Sequence, residues 1–297
     1  MRRVLLSIFL IISLCGNANC GTKRALTVFI GDYPKESGWN TISSQNDKAI
    51  ILEMLYSNGF KPSDVTCLEE SRATCSSIVA ALENLASSVK SGDQVYVHFS
   101  CHGQQITDQD GDEALVNPGD RYDEAIVPYD AAVSYGWHGY KGEKHLTDDV
   151  LNDYFTRIQK AVGAKGCLLV VNDSCHSGSS ERADEDRELP PYRGSFDAFE
   201  QPLLSTRRVS AIKPVTWISV TACKDFQTNF EVNVDGRMYG RLSYAISRCF
   251  RSGIETERLI EALKDMYDRL PISANRIQSL QYSIDDKQKS KVLFNNE

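Results

Sequence analysis

The chain has 297 residues, of which 41% are hydrophobic and 25% charged, with 19 Gly and 9 Pro. This is ordinary globular composition and excludes collagen-like, coiled-coil and wholly disordered readings; the length, near twice the ~150 residues of a common domain, fits one large α/β domain or two small ones. With 33 basic and 40 acidic side chains the net charge is −7, and no basic block stands apart, which argues against a nucleic-acid partner and points to small or cationic ones.

Met1-Arg2-Arg3 precedes an apolar run from Val4 to Leu14, broken only by Ser7 and Ser13. That is the length of a signal-peptide core and too short to span a bilayer. Ala18 and Cys20 suit the −3 and −1 positions of a cleavage site. Residues 1–20 therefore read as a signal peptide and 21–297 as one mature domain exported to a secreted or periplasmic location; Leu14 and Asn19 argue against lipid anchoring at Cys15 or Cys20. No later segment is apolar and long enough for a membrane span. Of the nine cysteines, Cys15 and Cys20 fall in the leader, leaving Cys67, Cys75, Cys101, Cys167, Cys175, Cys223 and Cys249. An odd number leaves at least one thiol without an intrachain partner. No C-x-x-C spacing signals a zinc knuckle or a thioredoxin site. Cys67 and Cys75 are close enough in sequence to be bridged.

Ala25 to Ile30 predicts a buried strand. From about Gln45 to Ser57, Ala49, Ile50, Met54 and Leu55 recur at helical spacing, and Asn58-Gly59 supplies the stop. The pattern repeats with Asp64 to Leu68 as a strand and Thr74 to Val89 as a helix, Ile78, Leu82, Leu85 and Val89 inward. Gln94 to Ser100 is a third strand that runs into Cys101-His102-Gly103. Residues 104–145 read mostly as loop. A helix follows Thr147, whose hydroxyl can cap it, with Val150, Leu151, Tyr154, Phe155 and Ile158 on one face. Cys167 to Asn172 is a fourth strand, ending in Asp173-Ser174-Cys175-His176-Ser177-Gly178. Ser179 to Lys213 exceeds ordinary connection length and reads as a functional or cleavable loop. Val215 to Thr221 predicts a fifth strand, Arg241 to Arg251 and Glu255 to Leu270 helices, and Gln281 to Ser283 a short last strand. The alternation predicts an α/β fold, a mostly parallel central sheet with helices on both faces.

In such sheets ligands collect outside the carboxyl ends of strands, where two strands here end in Cys-His. A zinc site and a nucleophile with its base both use such residues. Successive residues leaving a strand point to opposite sides, so neither dipeptide easily offers both side chains to one tetrahedral ion. One residue from each pair can meet across neighbouring strand ends, as His102 with Cys175 or Cys101 with His176. Cys175, among small polar residues, is the better nucleophile. His102 can hold its proton and pass it to a leaving amine, while the N–H groups of Gly103 and Cys175 can hold an oxyanion.

At these residues the chain resembles the metacaspases and related caspase-like cysteine peptidases. The likeness lies in Val97 to Gln104, where the family usually has Ser-Gly-His-Gly, and in Asp173 to Gly178, which matches Asp-x-Cys-His-Ser-Gly. Tyr122 to Asp130, Leu146-Thr147-Asp148-Asp149 and Ser219 to Cys223 add to it, in the expected order. The resemblance implies a caspase-like three-layer sandwich, His102 as base, Cys175 as nucleophile, and a monomer acting on protein or peptide substrates with no cofactor for the chemistry. Cys101 departs from the family's glycine before the histidine, crowding the site or adding an oxidisable thiol.

Asp173 lies two residues before Cys175, so in extended backbone both point the same way. A carboxylate there disfavours the thiolate unless a cation accompanies it, and a substrate Arg or Lys supplies one. The resemblance pairs Asp173 with an aspartate at the start of the first helix, here Asp47, in an acidic pocket, together with Ser100, for Arg or Lys before the scissile bond; Ser44 stands where the family often has cysteine. Without the resemblance, Asp47 is a helix-start carboxylate and Asp173 the partner of an internal arginine.

Between Asp108 and Asp130 eight carboxylates surround one basic residue, Arg121. Asp108 to Asp112 begins like a calcium loop, but Glu113 and Gly119 stand where an EF-hand needs Gly and Glu. The resemblance implies calcium activation through Asp123, Asp148 and Asp149; otherwise these are helix-start or surface charges. The loop from Ser179 to Lys213 carries Arg182, Arg187, Arg193, Arg207, Arg208 and Lys213, so an Arg/Lys-directed peptidase could cut itself there; an uncut flap is the other reading. The reading is thus an exported endopeptidase cutting after Arg or Lys. Its alternative is an inactive caspase-fold binding or scaffold protein, against which the intact His102 and Cys175 argue.

Overall fold

The computed structural model describes residues 21–174, 191–203, 214–224, 227–272 and 277–295. Residues 1–20, read above as a signal peptide, and Cys175 lie outside the described residues. In chain order the elements are β1 (Lys23–Phe29), α1 (Ser44–Ser57), β2 (Val65–Glu69), α2 (Cys75–Ser88), β3 (Gln94–Ser100), β4 (Gly103–Thr107), α3 (Glu113–Val116), β5 (Tyr122–Ile126), β6 (Leu146–Thr147), α4 (Asp148–Val162) and β7 (Cys167–Asp173). They continue with β8 (Ile218–Thr221), β9 (Glu231–Val234), β10 (Arg237–Gly240), α5 (Arg241–Cys249), β11 (Ile254–Glu255), α6 (Thr256–Arg269), β12 (Gln281–Ile284) and β13 (Val292–Leu293).

The central sheet has six strands in the order β12-β8-β7-β3-β1-β2. Five run parallel, and β12 alone is antiparallel, against β8. Alternate side chains of each strand enter different cores, as the period of two requires. Leu26, Val28, Val95, Val97, Leu168 and Val170 pack with Ile78, Leu82 and Leu85 of α2 and Leu151, Phe155 and Ile158 of α4. On the opposite face Ala25, Phe29, Tyr96, Leu169 and Val171 meet Ile51, Met54 and Leu55 of α1, Ala245 and Ile246 of α5, and Leu259 and Leu263 of α6. This is the three-layer, mostly parallel α/β architecture that the sequence predicts.

Several local expectations are corrected. Residues 104–145 are mostly irregular, as read, but they also carry strands the sequence did not signal: β4 and β5 lie antiparallel, and β6 extends them into a three-stranded sheet that begins just after β3. In α1 the buried face is Ser44, Asp47, Ile51, Met54 and Leu55, while Ala49 is exposed. Ile50 packs partly buried against the same core, so of the four residues read from spacing only Ala49 is exposed, and Asp47 lies on the inner face with the apolar residues. The Thr147 hydroxyl makes no capping bond to α4, and Val150 faces outward, whereas Thr74 does cap α2 by accepting from the Ser77 N–H. The six described cysteines are all free thiols, Cys67 and Cys75 among them. Among the described residues no helix is long and apolar enough to cross a membrane.

The chain passes from β1 outward to β2 and then returns to β3 on the other side of β1. That reversal opens a crevice at the carboxyl ends, as it does generally in open parallel sheets. Tyr33 and Trp39 follow β1, His102 follows β3, and Asp173 ends β7.

Candidate active site

His102 is 1% exposed and stacks on Trp39, ring centroids 4.8 Å apart at 25°, with Tyr33 at 5.1 Å on another side. Its Nε2 lies 2.7 Å from the Asn40 carbonyl oxygen. A carbonyl can only accept, so Nε2 carries the proton and Nδ1 holds the basic lone pair. Nδ1 is buried and has no hydrogen-bond partner among the described residues. The Tyr33 hydroxyl accepts from the His102 N–H at 3.1 Å and donates to the Val127 carbonyl at 2.8 Å, so the backbone of the histidine is fixed as firmly as its ring. Burial lowers its pKa to about 4, helped by the charge of Arg193 and opposed by the Asn40 bond and by Glu231. Cys101 faces the core: it is fully buried, and burial pushes its thiol up to about 12. It neither crowds the imidazole nor presents a reactive sulfur.

The sequence-predicted pocket residues converge. Ser100 donates from Oγ to Asp47 Oδ2 at 2.8 Å; Asp47 Oδ1 accepts the Gly240 N–H at 2.9 Å. Asp173 Oδ2 accepts both the N–H and the hydroxyl of Ser243 at 2.7 Å, in the first turn of α5, and its Oδ1 accepts from Asn229 Nδ2 at 2.8 Å. The chain's own Arg193, from the long loop, fills the space between these carboxylates and is wholly buried. Its Nη2 is 2.7 Å from Asp47 Oδ2 and 2.9 Å from Glu231 Oε1, its Nη1 is 2.8 Å from Ser100 Oγ, and Asp173 Oδ2 is 3.6 Å from Nη1. Burial raises the pKa of Asp47 to about 6 despite Arg193, with Asp173 adding to the rise. Burial also disfavours the guanidinium charge, but Asp47, Asp173 and Glu231 more than offset this and keep Arg193 protonated.

The backbone of the same segment docks in extended form. The Arg193 N–H donates to the Asn229 carbonyl and the Glu231 N–H to the Pro191 carbonyl, both at 2.9 Å, with Tyr192 bridged antiparallel to Phe230. The Arg193 carbonyl accepts from the Gly103 N–H at 3.4 Å, and Gly194 continues alongside Gly103. An arginine side chain thus lies in the acidic pocket, while its carbonyl meets the N–H that the sequence reading assigns to an oxyanion.

Gly240 faces this pocket with an ordinary φ of −62°, so the requirement there is space. A Cβ would overlap Asp173 Oδ2 and the Arg193 guanidinium. Gly240→Ala is expected to lower unfolding stability by about 1–3 kcal/mol, the usual cost of overpacking, read as a lower denaturant midpoint at unchanged m-value. An unchanged midpoint would mean that the arginine head is not tightly enclosed.

A second acidic group lies in the antiparallel sheet region. Carboxylate oxygens of Asp108, Asp112 and Asp123 lie within 4.8 Å of one another, as do those of Asp110, Asp112 and Asp149, and those of Glu113, Glu124 and Asp148. Asp123, Asp148 and Asp149, singled out from the resemblance, are therefore neighbours of five further carboxylates. Buried Oδ1 atoms of Asp112, Asp123 and Asp148 have no hydrogen-bond partner among the described residues. Burial first, and then neighbouring carboxylates, raises Asp123 to about 8, Glu113 and Asp148 to about 7 and Asp112 to about 6. Orphaned buried oxygens on an all-oxygen donor set fit a hard cation such as calcium.

Tyr33, Trp39, Asn40, Asn229, Glu231, Gly240 and Ser243 are absent from the sequence reading of the site. For Glu231 and Gly240 a usable signal was present: Asp235-Gly236, with φ of 51° and 82°, is a hairpin turn that pairs β9 with β10 and sets Glu231 opposite Gly240.

A mostly parallel sheet with an imidazole and an acidic pocket side by side at its carboxyl edge defines a caspase-like α/β protein. Residues 23–182 match the family described as metacaspase, peptidase C14 domain, and the chain belongs to that family. Metacaspase-1 of Cryptococcus neoformans var. neoformans serotype D is 26% identical over 303 aligned positions, covering 84% of this chain and 62% of the relative. Metacaspase-1 of Schizosaccharomyces pombe is 24% identical over 277 positions, covering 76% and 61%. The chain thus spans about six tenths of the length of these curated relatives. In fold alone it is similar to a crystal structure of a Geobacter sulfurreducens protein, with a TM-score of 0.60 at 19% identity over 92% of this chain and 98% of that one.

Proposed function

We propose that this protein is an exported cysteine endopeptidase that cleaves after Arg or Lys, with Cys175 as nucleophile and His102 as base, activated by calcium and matured by cutting itself. The observation that carries the reading is Arg193, held as a substrate arginine would be: its head in the acidic pocket and its carbonyl on the Gly103 N–H. Ser100 and Asp173 are partners in register, and His102 and Cys175 each follow two residues later in sequence.

In this mechanism Nδ1 of His102 takes the Cys175 thiol proton, and the thiolate attacks the carbonyl carbon of the arginine. The oxygen gains negative charge and is held by the Gly103 N–H and by that of Cys175. His102, now protonated and steadied through Nε2 by Asn40, gives its proton to the departing amine as the C–N bond breaks. Water, deprotonated by the same imidazole, then hydrolyses the thioester. Calcium would be held by Asp123, Asp148 and Asp149 with the surrounding carboxylates, where it would supply charge that those groups lack. Export rests on residues 1–20 alone.

Self-processing is expected first at Arg193–Gly194, because that peptide is already seated and until it is cut the arginine subsite is filled. Intact-mass and N-terminal sequencing of the purified chain with calcium should find a new terminus beginning Gly194-Ser195-Phe196, and cleavage of an arginyl peptide amide should accelerate as it appears. An active enzyme in which that bond stays whole would sink the self-processing claim.

A further inference from the structure

We infer that Glu231 makes the pocket read arginine in preference to lysine. The inference rests on Arg193 standing in for a substrate side chain, as proposed above. Glu231 Oε1 lies 3.2 Å from Arg193 Nε and 2.9 Å from Nη2, and accepts the Ser43 N–H at 2.8 Å. Asp47 and Ser100 meet only the terminal nitrogens of the guanidinium. Nε is the atom that separates the two basic side chains: counting outward from Cα, lysine has a methylene at that place, and its single nitrogen falls where arginine has Cζ. A lysine in this pocket would set CH2 against the Glu231 oxygen and could not reach Asp47, Ser100 and Glu231 together, whereas the planar fork of arginine satisfies all three.

Glu231 cannot follow the shorter chain. The Ser43 N–H before α1 holds its carboxylate, pairing to Gly240 holds its backbone, and its side chain is 2% exposed. Asp47 and Asp173 carry the charge that any cation requires, and Glu231 supplies the directional contact along the flank of the side chain.

Two measurements test this. The first is kcat/KM on paired peptide amides differing only in Arg or Lys before the scissile bond. The Arg/Lys ratio should fall about tenfold or more in Glu231→Ala and about threefold in Glu231→Gln, which keeps an uncharged acceptor; a ratio unchanged in both overturns the inference. The second needs no turnover: in a Cys175→Ala background, the thermal midpoint is measured for R193K, E231Q and the double variant. R193K should lower the midpoint markedly when Glu231 is intact and much less when E231Q is already present, a coupling between contacting residues; equal losses in both backgrounds overturn it. If the unmodified chain cleaves neither substrate, the peptidase reading fails, and the thermal cycle still decides whether Glu231 distinguishes the two cations.

Discussion

Replacing Cys175 by alanine is expected to abolish both self-cleavage and turnover of an arginyl peptide amide, lowering kcat/KM by roughly 10^4-fold or more, with the thermal midpoint little changed. Without the sulfur no thioester can form, and the remaining groups can only polarise and position the carbonyl. His102→Gln should cost roughly 10^2- to 10^4-fold, the usual worth of a positioned base. The two losses should not add in the double variant, because imidazole and thiol act as one unit. Selective alkylation offers an independent check. Burial raises the thiol pKa of Cys75, Cys101, Cys167 and Cys249, to about 11, 12 and 11 for the first three. A thiol-directed probe at neutral pH should therefore label Cys175 well ahead of these four. Undiminished turnover in Cys175→Ala would remove the peptidase mechanism altogether.

The main sheet was legible because its strands are short apolar runs buried on both faces, where composition and position say the same thing. Gln94 to Ser100 illustrates this, with predicted and observed bounds identical. The antiparallel sheet of residues 103–147 was not, because its strands are polar: Gly103-Gln104-Gln105-Ile106-Thr107 carries little apolar alternation, and its pairing is decided by register with Tyr122 to Ile126. The site divides along the same line. His102, Asp47, Asp173 and Ser100 were legible through local motifs. Asn40, Tyr33 and Glu231 act on those residues from elsewhere in the chain, and Glu231 belongs to a hairpin whose Asp-Gly turn went unused. Arg193 was one of six basic residues in the long loop. What singles it out is that Pro191 and Arg193 pair with Asn229 and Glu231, a tertiary fact that no window of sequence contains.

The second large effect is on stability and involves both pH and calcium. For Asp112, Glu113, Asp123 and Asp148 the folded pKa lies above the unfolded one, at about 6, 7, 8 and 7. Such groups stabilise the folded state fully below their unfolded pKa, near 4, and that contribution is lost as pH rises through 6 to 8. His98, His102 and His145 work in the other direction. Burial first lowers their folded pKa to about 3, 4 and 3, so their contribution is present above ~6.5 and is lost as pH falls below it. With chelator present, Cys175→Ala should therefore show a thermal midpoint that rises as pH falls from 8.5 to about 6.5, while below that the three histidines offset most of the continuing carboxylate gain and the rise flattens. Calcium held there as proposed would bind the ionised carboxylates, so its effect should grow with pH. At a hundredfold excess over Kd it should add about 2.7 kcal/mol, or roughly 5–10 °C for a chain of this size. Asp123→Asn should raise the midpoint at pH 8 in chelator, by removing a buried charge whose Oδ1 has no hydrogen-bond partner among the described residues, and should shrink the calcium increment. A midpoint flat between pH 6.5 and 8.5 in chelator, or unmoved by calcium at pH 8, would show that the eight carboxylates are a solvated surface and that activation must come from elsewhere.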